Sequence, residues 1–189
     1  GRGAALDWLL AQRQIVIHDA ILRWDDRLRG APELVLEKVE FRLDQRFGPR
    51  RFAVRAQPPQ ALASMLDVRG ELNHLDLDAP LSSIGRLYVS IDRADLGGWQ
   101  AWVDYPRPLQ GIGGVRAWLA SQTESRFDLA RGLNFGRAPA HRWAMTADLS
   151  LDGVLTRLDD ELPALALDRL DGRLSVDRDA EGYRLRARS

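Results

Sequence analysis

Residues Leu34–Leu43, LVLEKVEFRL, constrain the fold of this chain more than any other stretch. Leu34 and Leu36, then Val39, Phe41 and Leu43, are apolar, while Glu37, Lys38, Glu40 and Arg42 fill most of the gaps. A period of two gives an extended strand one wet face and one greasy face. The phase slips by one between Leu36 and Val39, which predicts a bulge near Glu37 and Lys38. We read this as the central strand of a sheet. The same half-apolar pattern recurs to the C-terminus, so the expectation is a serial antiparallel sheet with one long apolar surface.

Taken in order, Ala4–Gln12 reads as a short helix with Leu6, Leu9 and Leu10 on one side and Trp8 beside them. Ile15–Trp24 reads as a strand that is apolar on both faces over part of its length, with the helix as its nearest lid. After the charged turn Asp25–Pro32 and the strand above, Gly48-Pro49 turns the chain into Arg51–Ala56. Pro58-Pro59 cannot donate to a ladder and interrupts the sheet. Strands are predicted over Met65–Leu72 and Gly85–Ile91, with His74–Ser83 as a loop. Asp95–Val103 reads as a short helix capped by Asp95, with Trp99, Trp102 and Val103 on its apolar face. Gly111-Ile112-Gly113-Gly114 reads as a hairpin turn and Val115–Ala120 as a strand. Ser121–Arg142 loses periodicity and reads as a long, mobile loop. Alternation returns over Trp143–Leu151, then from Leu165 to Val176 with one slip, and at Tyr183, Leu185 and Ala187. Nine or so strands at ~4.8 Å would make a sheet roughly 40 Å across, wide enough that it should twist and curl.

Composition narrows the function classes. The chain has 189 residues, 45% of them hydrophobic, with 27 basic and 27 acidic groups. A net charge of zero argues against nucleic acid, whose phosphates demand a basic face. Lys38 is the single lysine, so the basic residues are otherwise arginine, which we read as genome composition. The absence of cysteine removes thiolate catalysis, cysteine-ligated metals and disulfides. No apolar run approaches the ~18–20 residues that span a bilayer, and no signal peptide opens the chain. The start GRGAALDW and the strand-like C-terminus suggest a piece of a larger protein.

Few residues suggest chemistry. His18, His74 and His141 are far apart and outside HExxH or HxH spacing, so no metal site is expected. Ser82-Ser83 and Ser121 have no neighbouring base and no nucleophile elbow. Asp25-Asp26 and Asp159-Asp160-Glu161 could be imagined as the paired acids of a glycosidase, but their placement in apparent turns favours local hydrogen bonding. Six tryptophans could form a sugar platform, yet the spacing of Trp99 and Trp102 suits anchoring a helix on the sheet. Arg184, Arg186 and Arg188 line one face of the last strand, read as solvated. What remains is the apolar face. Closed by a second sheet it is core; left open it could hold acyl chains, since each buried CH₂ is worth ~0.8 kcal/mol. Periodicity does not separate these two cases.

The ordered series of segments resembles a known family. LDWLLAQ, the strand IVIHDAILRW, LVLEKVEFRL, the PP break, LDVRGEL and ADLGGWQAWVD follow one another over residues 4–105, and LALDRLDGRL resembles a repeat of the same kind. Together they are similar to the AsmA-like proteins of the YhdP type. The resemblance implies a periplasm-spanning bridge of Gram-negative bacteria, anchored to the inner membrane by a segment outside this chain. Such proteins serve outer membrane biogenesis by carrying phospholipid between the two membranes along a hydrophobic β-groove. The fold expected is mainly β: an elongated, curled antiparallel sheet forming an open groove, with two short helices. Residues 1–189 would be a single segment of a longer repeating protein, with a sub-boundary near 104–114. The groove candidates are Leu34, Leu36, Val39, Phe41, Leu43, Phe52, Val54, Leu66, Val68, Leu87, Val89 and Ile91. Phospholipid acyl chains and adjoining groove segments of the same protein are the expected partners. No catalytic residue, cofactor or metal is expected. The alternative is a non-catalytic β scaffold or protein-interaction module with a closed core, and a glycosidase ranks third.

Overall fold

Each alternating stretch becomes a strand, and every strand pairs with the next one in sequence. The computed structural model describes residues 12–26, 30–46, 48–74, 84–103, 109–124, 140–157, 161, 163–179 and 182–188. Within them run β1 (Gln14–Trp24), β2 (Leu34–Asp44), β3 (Arg50–Gln57), β4 (Met65–His74), β5 (Ile84–Asp95), α1 (Leu96–Trp99), β6 (Leu109–Glu124), β7 (Ala140–Thr156), β8 (Leu165–Asp179) and β9 (Gly182–Arg188). They form one nine-stranded antiparallel sheet in the order β1 to β9, so β1 and β9 are its two edges and the sheet is not closed. The expected mainly-β, open, antiparallel architecture is what the chain adopts.

Leu34–Asp44 is therefore second from an edge, not central. Alternation reports burial of one face and is blind to how many neighbours lie on each side. The helix expected over Ala4–Gln12 falls outside the described residues, as does most of the loop expected between Ser121 and Arg142. The flanks of that loop, up to Glu124 and from Ala140, are paired β6 and β7. The glycine run is another correction. Gly111 to Gly114 lie inside β6 rather than in a turn, because a Cβ on Gly113 would sit 1.9 Å from the Ser150 carbonyl oxygen. Close approach of two backbones, not a change of direction, demands glycine there.

Register places the apolar residues in rows across the sheet. Ile15, Leu43, Phe52, Gly70, Leu87, Leu119, Met145, Val176 and Leu185 are successive cross-strand partners. A parallel row runs Ile17, Phe41, Val54, Val68, Val89, Ala117, Ala147, Leu174 and Ala187. Residues between these rows point to the opposite face and carry the charges. There Arg51 pairs with Glu71 at 3.1 Å, and Arg173 reaches Asp148 at 2.5 and 2.7 Å.

One end of the apolar face is covered. The connection from Pro58 to Ser64, α1 and Trp102 pack over it, joining Leu34, Leu36, Val39, Ala56, Leu62, Ala94, Leu151 and Val154 in one buried cluster. Asp95 caps α1, its Oδ1 accepting from the Gly98 amide at 3.0 Å. A four-residue helix has almost no intrinsic stability. Its hold comes from Trp99 and Trp102, about nine-tenths buried and edge-to-face at 6.0 Å. The Trp99 indole N–H donates to the Leu62 carbonyl at 3.0 Å, and that of Trp102 to the Pro32 carbonyl at 3.1 Å.

The strands accommodate this cover with bulges at the same end. Register shifts by one near Asp19, Lys38 and Arg93, and these three have positive φ of 52°, 48° and 55°. Gly153, with φ 62°, lets β7 turn both Leu151 and Val154 into the cluster. The slip read between Leu36 and Val39 is thus a bulge at Lys38.

A non-glycine residue with left-handed backbone costs about 1–2 kcal/mol, while glycine in a strand loses about 0.5–1 kcal/mol to backbone entropy. Lys38→Gly is accordingly expected to be near neutral in urea denaturation. Lys38→Val, stiff at χ1, should lower stability by about 1–2 kcal/mol. Equal effects of the two substitutions would show that the bulge carries no strain.

Candidate functional site

Beyond the covered end the apolar face is only half-buried, and among the described residues no second sheet lies over it. The candidates divide by position. Leu34, Leu36 and Val39 belong to the closed cluster, and Leu43 is also buried at 3% exposure. Phe41, Phe52, Val54, Leu66, Val68, Leu87, Val89 and Ile91 are half-buried and contiguous across β2 to β5. Register extends this surface to residues absent from the expected set: Val115, Ala117 and Leu119 on β6, Met145 and Leu149 on β7, and Leu174 and Val176 on β8. The signal was present, since those strands alternate just as strictly. Only pairing shows that their apolar sides share the same face.

Phe52 shapes the floor of this face. A Cβ on Gly70, its cross-strand partner, would lie 2.2 Å from Phe52 Cε1, so the ring lies flat over the glycine instead of standing off the sheet. The row thereby stays low where strands β3 and β4 meet. Gly70→Val should expel the ring and raise the floor, detected as a change in the Phe52 environment by NMR.

The polar groups divide between a few isolated side chains and an ionic lattice. Among the described residues no three His, Cys, Asp or Glu side chains group to hold a metal. His18, His74 and His141 sit on β1, β4 and β7. The Ser121 hydroxyl is buried with no hydrogen-bond partner, and a nucleophile needs a base to activate it. Asp26 is buried and Asp25 exposed; Asp159 and Asp160 fall outside the described residues. The carboxylates that shift all shift down, each held chiefly by a hydrogen bond from a neighbouring arginine: Asp67 by Arg69, Asp148 by Arg173 and Asp171 by Arg169. A general acid for glycoside cleavage needs the opposite shift. These groups make an ionic lattice on the charged face.

Asp44 is the clearest case, lowered to about 2 by the Arg46 side chain and backbone amide. Because the folded pKa is depressed, its stabilising contribution is full above the unfolded value and fades as pH falls from near 3.8 to about 2. Arg46→Gln should move the Asp44 carboxyl titration, followed by NMR, up towards the ordinary carboxylate range. An unchanged midpoint would assign the shift to another cause.

A wide unclosed antiparallel sheet with one continuous apolar face and one ionic face defines an open β-groove architecture rather than a closed sandwich. The chain belongs to the YhdP protein family, whose description "YhdP protein" matches residues 1–189. The resemblance to AsmA-like proteins of the YhdP type is thereby borne out. No curated protein and no solved structure matches. Family membership is consistent with lipid transport. No helix among the described residues is long and apolar enough to cross a membrane, which says nothing of strands.

Proposed function

We propose that this chain is a segment of a periplasmic lipid conduit that carries phospholipid between inner and outer membrane, with the acyl chains lying on the half-buried apolar face. The observation that carries the reading is the continuity of two apolar rows across all nine strands without an overlying layer among the described residues. Family membership supports it. An acyl chain gains ~0.8 kcal/mol per CH₂ removed from water, and side chains in rows perpendicular to the strands offer that gain at every step. A chain can slide from strand to strand because each step trades one apolar contact for an equivalent one. The edges β1 and β9 have one unpaired side each, where adjoining segments of the same protein would continue the sheet. The inner-membrane anchor would lie in a part of the protein outside this chain.

Charge substitution tests this against the closed-core scaffold. Val68→Asp and Val89→Asp, both outside the buried cluster, should abolish co-purification of phospholipid, read by native mass spectrometry, while leaving the unfolding midpoint little changed. In a sealed core the same carboxylates would cost several kcal/mol and unfold the protein. A purified chain that retains no lipid before any substitution would count against the conduit.

A further inference from the structure

The charged face carries a feature that a lipid groove does not use. Tyr88 on β5 and Trp118 on β6 are cross-strand partners on the side opposite the apolar rows. Their ring centroids lie 5.4 Å apart at 45°, and Trp118 is 40% exposed. A hollow lies on each side of the pair. One, of about 530 Å³, holds Arg55, Asp67, Ser90, Asp92 and Arg116; the other, of about 570 Å³, holds Arg86 and the small residues Ala53, Ala120 and Ala144. Arg69, Tyr88 and Trp118 line both, so the two hollows form one track with an aromatic divide.

The charges on this track are unevenly satisfied. Asp67 is gripped by the Arg69 fork at 2.7 and 2.9 Å, with Arg55 at 3.9 Å. Arg116 faces Asp148 across the strands, but that carboxylate is taken by Arg173. Arg86 faces Glu71, which is taken by Arg51. Arg116 and Arg86 thus each present a guanidinium outside any salt bridge, one in each hollow, although Asp148 still feels the charge of Arg116; they lie about 7 Å along the strands on either side of the aromatic pair.

We propose that this track binds a carboxylate-bearing glycan chain. Exposed Tyr and Trp faces receive the apolar faces of sugar rings, and a guanidinium fork takes a carboxylate in bidentate fashion. Ser90 and the Asp92 carboxylate are placed to receive sugar hydroxyls. Two hollows joined over an aromatic ridge, open along the flank, suit successive residues of a polymer rather than one enclosed small molecule. Phe52, Leu87 and Leu119 also border the second hollow, but by register their side chains belong to the opposite face, so the track's side chains are distinct from those of the groove.

The test is titration of the purified chain with oligosaccharides of alternating N-acetylglucosamine and N-acetylmuramic acid, read by tryptophan fluorescence and calorimetry. Neutral chitotetraose and vesicles of equimolar phosphatidylglycerol and phosphatidylcholine serve as comparisons. The carboxylated chain should bind more tightly than the neutral one, and added salt should weaken it. Arg86→Gln and Arg116→Gln should each weaken binding several-fold to roughly tenfold, as expected for loss of a charged hydrogen bond. Trp118→Ala should abolish binding and Trp118→Phe retain most of it. All three side chains project from the sheet surface, so unfolding midpoints and lipid co-purification should be unaltered. Equal binding of carboxylated and neutral chains overturns the proposal, as does no binding of either. Arginine variants that bind like the parent overturn it too. Vesicle binding lost in those variants, without glycan binding, would assign the face to a membrane and overturn it as well.

Discussion

The structure depends on an imbalance between the two faces of one sheet. Every strand offers an apolar side and a charged side, and backbone pairing holds these sides in register across nine strands. The charged side is settled by water and by arginine–carboxylate forks. The apolar side is settled only at one end, where α1, Trp102 and the Pro58–Ser64 connection close over it. A sheet with a greasy face normally buries it against a second layer. Here part of the apolar area stays unburied among the described residues, and the proposed function rests on it.

The covered end and the open face are mechanically linked. Tryptophan anchors pull α1 down onto β5 and β6, and strands that would otherwise run straight past are bulged at Asp19, Lys38 and Arg93. Each bulge reorients the residues beyond it, so that Leu34 and Leu36 on one strand and Leu151 and Val154 on another enter the same cluster. Burial is thus greatest at one end of the strands, where Val54 and Ile91 also pack against the cluster, while Phe52, Val68, Leu87 and Val89 lie outside it.

Much of this was legible in the residues, and the failures share one cause. Alternation located the strands, Asp95 announced the helix cap, and the slip beside Lys38 foretold a bulge. Misplacing the Leu34–Asp44 strand at the centre, and reading Gly111–Gly114 as a turn, both came from treating local pattern as position. A glycine can mean a reversal or a close backbone approach, and only the Ser150 carbonyl opposite Gly113 decides between them. The divided candidate set has the same origin. Leu36 and Val68 look alike as members of alternating strands, yet one belongs to the cluster with the tryptophans and the other does not.

What the sequence determined by itself was the chemistry of each strand's two sides and the order in which strands follow one another, because period-two patterning and turn residues act over a few neighbours. Connectivity this serial made antiparallel pairing of adjacent strands the natural outcome, and the ordered motifs were enough to place the chain in its family. Tertiary structure alone decided which strands lie at the edges, which apolar rows are sealed and which stay open, and that Tyr88 meets Trp118 between Arg86 and Arg116. Those outcomes depend on contacts between residues tens of positions apart, where register and coverage are set by packing rather than by any local preference.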